Sequence, residues 1–501
     1  MRNKISNAVW KCFLAFFACI LLTTLILCVL KTNDLVPVKD MATKPFLFIG
    51  FAILLSGLCI VYERFFAKLN RFMLPLFMVV YGVGLFLVSV SSKASPVHDA
   101  ASVYEGALYM AGLSDEMSWT YFARCSNNTM PMIFMSFILR AGKLLGFENV
   151  YYCHVITNVI QVLLALYCVY RIGGRFSTKH TLAASWCGMG MLAVYFPIIA
   201  HTQSVYTDAF SFSFGIVAFY VWMRNREINT GKKRYWIGLI LAGLIWAIGV
   251  QIKATVLISL IAVTAYIVLY DGWKKLLEHM VIWGLVIAVA LGCSAYKKSL
   301  PSMEHYHTWG FPTTTYFIAL GLEGDGGFNL GSEYFNTVMN IYGMEEKKAY
   351  TNQYIIDNIS NFWDKEHMLA KLRNNFAAGR MKGEDFYQIC ENQNFIYQCV
   401  SYSGNRFTQY TMWITAYWYA ILALCIVTCA LKLLLERNKQ EKVFCFVPIL
   451  SFFGVMCYVM LSEANNRQLY NHLPWIFLSA NMSIWMLHDL GLRYKIKKSQ
   501  G

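Results

Sequence analysis

Long stretches without charge restrict the fold of this chain more than any other feature. The runs 46–62, 237–250 and 443–461 carry almost no charge, and each is near the length an α-helix needs to cross a hydrocarbon core roughly 30 Å thick. Of the 501 residues, 57% are hydrophobic and 14% charged. That leaves too little polar surface to cover a soluble protein of this size, so the apolar excess faces lipid. The run 8–30 is too long for the apolar segment of a signal peptide and lacks a small-residue cleavage site. It reads as a retained first span.

The net charge of +15 raises the question of nucleic acid, and its placement answers it. Basic residues gather in short segments between the apolar runs: Arg64/Lys68/Arg71, Arg171/Arg175/Lys179, Arg224/Arg226/Lys232/Lys233/Arg234, Lys432/Arg437/Lys439/Lys442 and Arg493/Lys495/Lys497/Lys498. This is the pattern of cationic cytoplasmic loops on a membrane protein. Attraction to anionic membrane lipids accounts for the charge, and no nucleic-acid-binding motif accompanies it. The 15 cysteines lie mostly within apolar runs, where cysteine behaves as a small hydrophobe. No cysteine or histidine spacing suggests a metal site. Cys390 and Cys399 share one polar stretch, either as a pair or as two free thiols.

These features predict an all-α polytopic membrane protein with about twelve transmembrane helices, near 8–30, 46–63, 72–92, 150–170, 181–200, 207–223, 236–250, 254–270, 279–296, 411–431, 443–461 and 467–488. Twelve crossings place both termini in the cytoplasm and leave two large loops outside. The expected organisation is 1–92, N-terminal spans; 93–149, a first outer loop; 150–296, a central core of six spans; 297–410, an outer soluble insert; and 411–501, three spans with a basic cytoplasmic tail. The stretch 130–145 is apolar but interrupted by Arg140 and Lys143. Counting it as a crossing would put Arg224–Arg234 outside, so it is expected to lie along the surface as an interfacial helix.

Acidic residues are few, 28 in all, so those at the outer boundary are informative. Asp99 follows the third span in PVHDAASVYEGA, and Asp208 begins the sixth in VYTDAF. Ionisable groups near a bilayer interface are functional candidates, although Asp208 could simply cap its helix. Cations are expected at the same level. Lys253 lies in the turn after the seventh span, where snorkelling to headgroups is the plain explanation. Arg467 lies in SEANNRQLYNHLP, where the plain explanation is a helical i,i+4 pair with Glu463. Together these groups could hold a lipid phosphate beside a polar acceptor. Glu105 and the pair Asp115/Glu116 are further acids of the first loop.

The order of these segments resembles bacterial glycosyltransferases of the GT-C fold, the glycosyltransferase family 39-like relatives of protein O-mannosyltransferases and aminoarabinose transferases. The resemblance runs through most of the chain, from about 70 to 490. It is carried by Asp99 at the head of the first loop, Tyr104, the SNN-x-x-P segment with Asn127, Asn128 and Pro131, the YTD around Asp208, KATVLI around Lys253, and E-x-x-x-R-x-x-Y from Glu463 to Tyr470. This chain reads RCSNN where YPNN is usual, and has Tyr316 where related sequences tend to carry histidine. The resemblance implies transfer of a sugar from a polyprenyl-phosphate donor to an envelope glycan, lipid or protein on the outer face, in one inverting displacement and without a cofactor. Asp99 is then the base, Asp208 a positioning acid, and Lys253 and Arg467 phosphate ligands. Glu463, Tyr470, Glu105, Tyr104, Asn127 and Asn128 become substrate-binding candidates. A transporter or flippase of lipid-linked saccharide would instead place ionisable groups in mid-span, where His154 and Asn158 are the best pair. A non-catalytic scaffold in envelope polysaccharide assembly is the third possibility.

Overall fold

Apolar residues on every side of a long run leave the backbone no stable arrangement in lipid except a helix, and the described residues are mostly helical. The computed structural model describes all residues except 1, 31–37, 229–230, 330, 378–381, 436–440 and 501, and omits the side chains of 2–3, 38, 313 and 492–500. Arg437 and Lys439, and the side chains of Arg493, Lys495, Lys497 and Lys498, therefore lie outside the described residues.

The chain opens with α1 (Arg2–Leu30), α2 (Val38–Phe66) and α3 (Asn70–Ser91), and the first loop holds α4 (Asp99–Met110), α5 (Trp119–Arg124) and α6 (Thr129–Leu144). The central part comprises α7 (Tyr151–Gly173), α8 (Thr181–Ala193), α9 (Phe196–Thr202), α10 (Thr207–Phe210), α11 (Phe214–Asn225), α12 (Lys233–Ile252), α13 (Leu257–Tyr266) and α14 (Trp273–Lys298). The insert contributes α15 (Ser302–Trp309), α16 (Thr313–Leu322), α17 (Glu333–Asn340), α18 (Met344–Asn358), α19 (Lys365–Phe376) and α20 (Phe395–Val400). The chain closes with α21 (Phe407–Leu435), α22 (Val443–Leu461) and α23 (Leu473–Gln500).

Among the described residues, eight helices are long and apolar enough to cross a membrane, or nine if the bent pair α8 and α9 is one span. The twelve expected spans differ from this count in definable ways. The spans near 46–63 and 72–92 fall in one run, Lys39–Ser91. The span near 207–223 is a one-turn α10 followed by the 12-residue α11. The one near 467–488 begins with a 3₁₀ turn, Asn466–His472, before α23. The 16-residue α6 is not among the long apolar helices. It buries Met132, Met135 and Leu139 and exposes Phe137, Arg140 and Lys143.

The two ends of the bundle differ in chemistry. One end gathers the basic segments, tied by Arg175–Glu227, Arg226–Asp271 at 2.9 Å and His180–Glu63 at 3.0 Å. Between the ends, α21 packs against α1, α2 and α23, and α12 against α11 and α14, around the fully buried Trp246, Trp418, Trp475 and Trp485. The opposite end carries the first loop and the insert. The insert divides by its cores. Phe311, Tyr316, Tyr334 and Val338 form a small core of their own, whereas Phe376, Phe386, Tyr387 and Val400 join the main core. Cys390 and Cys399 are free thiols.

Candidate active site

Three helix breaks meet at the end of the bundle that carries the insert, and they bring the charged residues together. The first lies between α9 and α10. α8 and α9 meet at 59°, with Pro197 in the first turn of α9, where its missing N–H costs nothing. Carbonyls released beyond α9 are taken up by α7. Asn158 Nδ2 donates to the Thr202 and Ser204 oxygens, both at 2.9 Å, and His154 Nε2 lies 3.0 Å from the Ser204 oxygen. The polar pair expected of a transport path thus anchors the strand of backbone that leads into Tyr206 and Asp208.

The second break is at Lys253, an extended residue between α12 and the 3₁₀ turn Ala254–Val256. The third is the turn Asn466–His472, started by the Asn465 side chain, which accepts from Arg467 N at 3.2 Å. Asn471 Nδ2 donates to Thr255 Oγ1 at 2.9 Å, joining the second break to the third. These ties bring Lys253 and Arg467 to one carboxylate. Lys253 Nζ pairs with Asp208 Oδ1, and Arg467 Nε lies 3.4 Å from Asp208 Oδ2. Asp208 is buried, with 1% of its side chain exposed, against 9% for Lys253 and 19% for Arg467. Isolated ions buried this deeply would be costly; a carboxylate shared by two cations offsets much of that cost.

This geometry corrects three of the plainer explanations. Asp208 makes no capping hydrogen bond at the start of α10, where it occupies the second helical position. Lys253 is turned inward to a carboxylate and does not snorkel to headgroups. The stretch from Glu463 to Arg467 is irregular backbone entering a 3₁₀ turn, so no α-helical face presents an i,i+4 pair.

Tyr206 connects this cluster to Asp99. The Arg467 guanidinium lies 4.9 Å from the Tyr206 ring centre, and the Tyr206 hydroxyl donates to Asp99 Oδ2 at 3.2 Å. Burial first, and the nearby Asp99 carboxylate next, hold the Tyr206 hydroxyl well above the ordinary phenol range, so it acts as a donor. Asp99 itself is exposed at the first position of α4. One carboxylate facing open space is thus a single tyrosine away from Arg467, and Asp208 joins Arg467 to Lys253.

The approach to Asp99 is clamped by the far end of the insert. Ser95 N donates to the Ile389 oxygen at 3.0 Å, and Ala94 and Cys390 form an antiparallel bridge. Asn394 bonds Ser91 Oγ at 2.8 Å and Ser92 Oγ at 2.9 Å. Lys93 and His98 adopt φ of 45° and 53°, uncommon for residues with a Cβ. Both lie in the stretch held by the insert, where surrounding contacts can enforce a strained backbone.

The insert also delivers Asp385, whose Oδ2 lies 3.7 Å from Arg467 Nη1. Gln203 Nε2 donates to the Phe386 oxygen at 2.8 Å, and Phe386 meets the His201 ring edge-on at 5.0 Å. Gly383 makes this approach possible. Its φ is 90°, and a Cβ there would stand 2.9 Å from the Ala200 Cβ. Beside it, burial pushes the Glu384 carboxyl up to about 7.

The other expected residues fall at varying removes. Glu463 is buried and accepts from Asn465 Nδ2 at 3.2 Å. Tyr470 is fully buried, stacked on His201 at 4.2 Å, with its hydroxyl 3.4 Å from the Ile198 oxygen; it packs the break behind Arg467. Tyr104 meets Tyr151 edge-on at 5.7 Å. Asn128 is buried and donates to the Tyr121 hydroxyl at 2.7 Å, while the exposed Asn127 donates to Asn128 at 3.2 Å. Glu105 is exposed farther along α4. Tyr206 and Asp385 had not been singled out. Tyr206 stands in the same YTD as Asp208, but Asp385 lies in a stretch without pattern. Among the described residues, no group of three or more His, Cys, Asp or Glu side chains is placed to hold a metal ion.

Residues 131–296 match the family model described as dolichyl-phosphate-mannose-protein mannosyltransferase. The matched stretch contains Asp208 and Lys253 but neither Asp99 nor Arg467. No curated protein matches the chain.

Proposed function

We propose that the chain is a membrane glycosyltransferase of the kind described by the family model that residues 131–296 match, that it draws on a polyprenyl-phosphate-linked sugar, and that it transfers a hexose, mannose being the first to test, to a hydroxyl acceptor on the outer face of the membrane. The outer placement is supported by the basic segments gathered at the end of the bundle remote from Asp99, since cationic loops stay in the cytoplasm.

The observation that carries the reading is the line from Asp99 through Tyr206 and Arg467 to Asp208 and Lys253. Asp99 accepts the proton of the acceptor hydroxyl, a role that typically contributes about 10²–10⁴-fold in rate. The acceptor oxygen forms a bond to the anomeric carbon from the side opposite the phosphate. The bond from that carbon to the phosphate oxygen breaks with its electron pair, giving inversion. Polyprenyl phosphate departs with the added negative charge, which Arg467 and Lys253 stabilise in a site with little water. Asp208 aligns both cations in advance, and Tyr206 orients Asp99.

Reconstitution of the purified chain with a radiolabelled polyprenyl-phosphate mannose tests this. Release of polyprenyl phosphate together with label on an inverted glycoside is the expected result. Failure to release polyprenyl phosphate from mannose or any other lipid-linked hexose, with folded protein, would sink the proposal.

A further inference from the structure

Asp99 opens a helix whose next turns border a cavity of about 450 Å³, lined by residues that include Ser102 and Glu105 of α4, Glu116, Trp119 and Thr120 at the start of α5, and His305 of α15. A helix rises about 1.5 Å per residue, so Ser102 and Glu105 lie roughly 4.5 and 9 Å along the axis from Asp99, on neighbouring faces. The size falls in the range of about 300–1,000 Å³ usual for small-ligand sites.

We infer that this cavity is the acceptor subsite and that it takes a saccharide; the inference rests on the glycosyltransferase reading. Two carboxylates, three hydroxyls (Ser102, Ser118 and Thr120) and an imidazole supply donors and acceptors for a molecule covered in hydroxyl groups. The indole of Trp119 offers an apolar surface to the C–H side of a sugar ring, and Tyr109 holds it edge-on at 5.9 Å. A polyprenyl chain here would strip water from Glu105 and Glu116 without replacing it, which is costly. His305 comes from the insert, and α15 packs on α5, so the insert contributes one wall of the cavity beside the first loop.

The test uses the full-length chain in lipid nanodiscs and a diazirine-tagged mannose trisaccharide as the probe. Crosslinks on peptides from 99–120 and 302–309, competed by untagged trisaccharide and lost in Trp119→Ala but retained in Trp119→Phe, are expected. In transfer assays, Trp119→Ala and Glu105→Gln should raise the acceptor KM about ten-fold, with affinity for the polyprenyl-phosphate donor held within two-fold. Crosslinks elsewhere, or unaltered by Trp119→Ala in a folded protein, would overturn the assignment. So would competition by a Ser/Thr peptide and not by the trisaccharide. If the crosslinks appear as expected while no lipid-linked donor is ever turned over, the saccharide site stands and the transferase reading fails.

Discussion

Replacing Asp208 by Asn removes the charge that two partly buried cations share and keeps the shape of the side chain. If Asp208 only capped α10, the change would be nearly silent, because Asn and Asp cap about equally well. The structure predicts otherwise. Breaking a buried ion pair typically costs about 3–5 kcal/mol, since the partner is left as an uncompensated charge. Arg467 keeps Asp385 at 3.7 Å and is 19% exposed, so most of the cost falls on Lys253, which is 9% exposed. Asn retains an oxygen that can accept from Lys253, which lowers the estimate to about 2–3 kcal/mol. Lys253→Met alone should cost a comparable amount, by leaving Asp208 with one cation. The double variant removes the unpaired charge and should regain about 1–3 kcal/mol relative to the sum of the singles. Denaturant unfolding of all four proteins in one detergent, followed by size-exclusion chromatography, gives the coupling. Transfer should stay low in the double variant, because stability returns without the cation. Single variants that each cost less than about 1 kcal/mol, and add in the double, would refute a shared buried carboxylate.

Asp99→Asn should lower single-turnover transfer from a defined polyprenyl-phosphate sugar by at least about 10²-fold while expression and donor binding persist; wild-type transfer would end its assignment as base. Arg467→Gln should weaken donor binding more than folding, as losing a charge-assisted phosphate contact does, and unchanged binding to polyprenyl-phosphate vesicles would remove it from the phosphate site. Glu384 has an ordinary value of 4.5 and is pushed up to about 7 by burial. Below the lower value both folded and unfolded carboxyls are protonated. Between the two, the unfolded state releases its proton first and stability falls as pH rises; above about 7 the penalty levels off, near 3 kcal/mol. Glu384→Gln should therefore stabilise the protein at pH 8 and leave it unchanged near pH 4, and a gain equal at both pH values would contradict this. Single cysteines introduced at Lys143 and Lys348, both exposed, in a cysteine-free background should react with an impermeant maleimide added to intact cells; protection of the Lys143 site alone would argue that α6 crosses the membrane.

Four residues of the candidate site were legible because charge is scarce where the chain is apolar. Asp99, Asp208, Lys253 and Arg467 each interrupt or border a hydrophobic run, and alternation of the runs places all four at one end of the bundle. Their contacts were not legible. Periodicity tells where a helix is, but the site is built from Tyr195–Tyr206, Lys253 and Asn465–His472, where helices stop. Arg467 and Glu463 looked like i and i+4 on a helix, and the 3₁₀ turn removed that relation. The span near 207–223 was expected to be continuous, yet Ser211 and Ser213 open a turn between α10 and α11. Serine has short polar side chains that compete with the backbone for hydrogen bonds, a signal too weak to outweigh the surrounding apolar residues.

Asp385 shows a different limit. Nothing in its own neighbourhood distinguishes it from the other acids of the insert, and its position depends on pairings almost two hundred residues apart in sequence, such as Gln203 with Phe386. The same is true of Asp99 in reverse. Its helix is legible, but the register of the residues before it is set by backbone bonds to Ile389 and by Asn394 bridging Ser91 and Ser92. Closing such long loops is entropically costly and is repaid only when many contacts form together. Here those contacts are concentrated in the second half of the insert, whose Phe376, Phe386 and Tyr387 join the main core. The segment 382–394 therefore carries out two tasks with one docking event. It holds the exposed carboxylate at the head of α4, and it places a second carboxylate, Asp385, beside Arg467. Under the proposed reading, an arriving phosphate competes with Asp385 for the outer nitrogens of Arg467, while Nε stays directed at Asp208. The long 3.7 Å separation to Asp385 leaves that exchange inexpensive, so Arg467 can meet the donor without giving up the buried contact that aligns it.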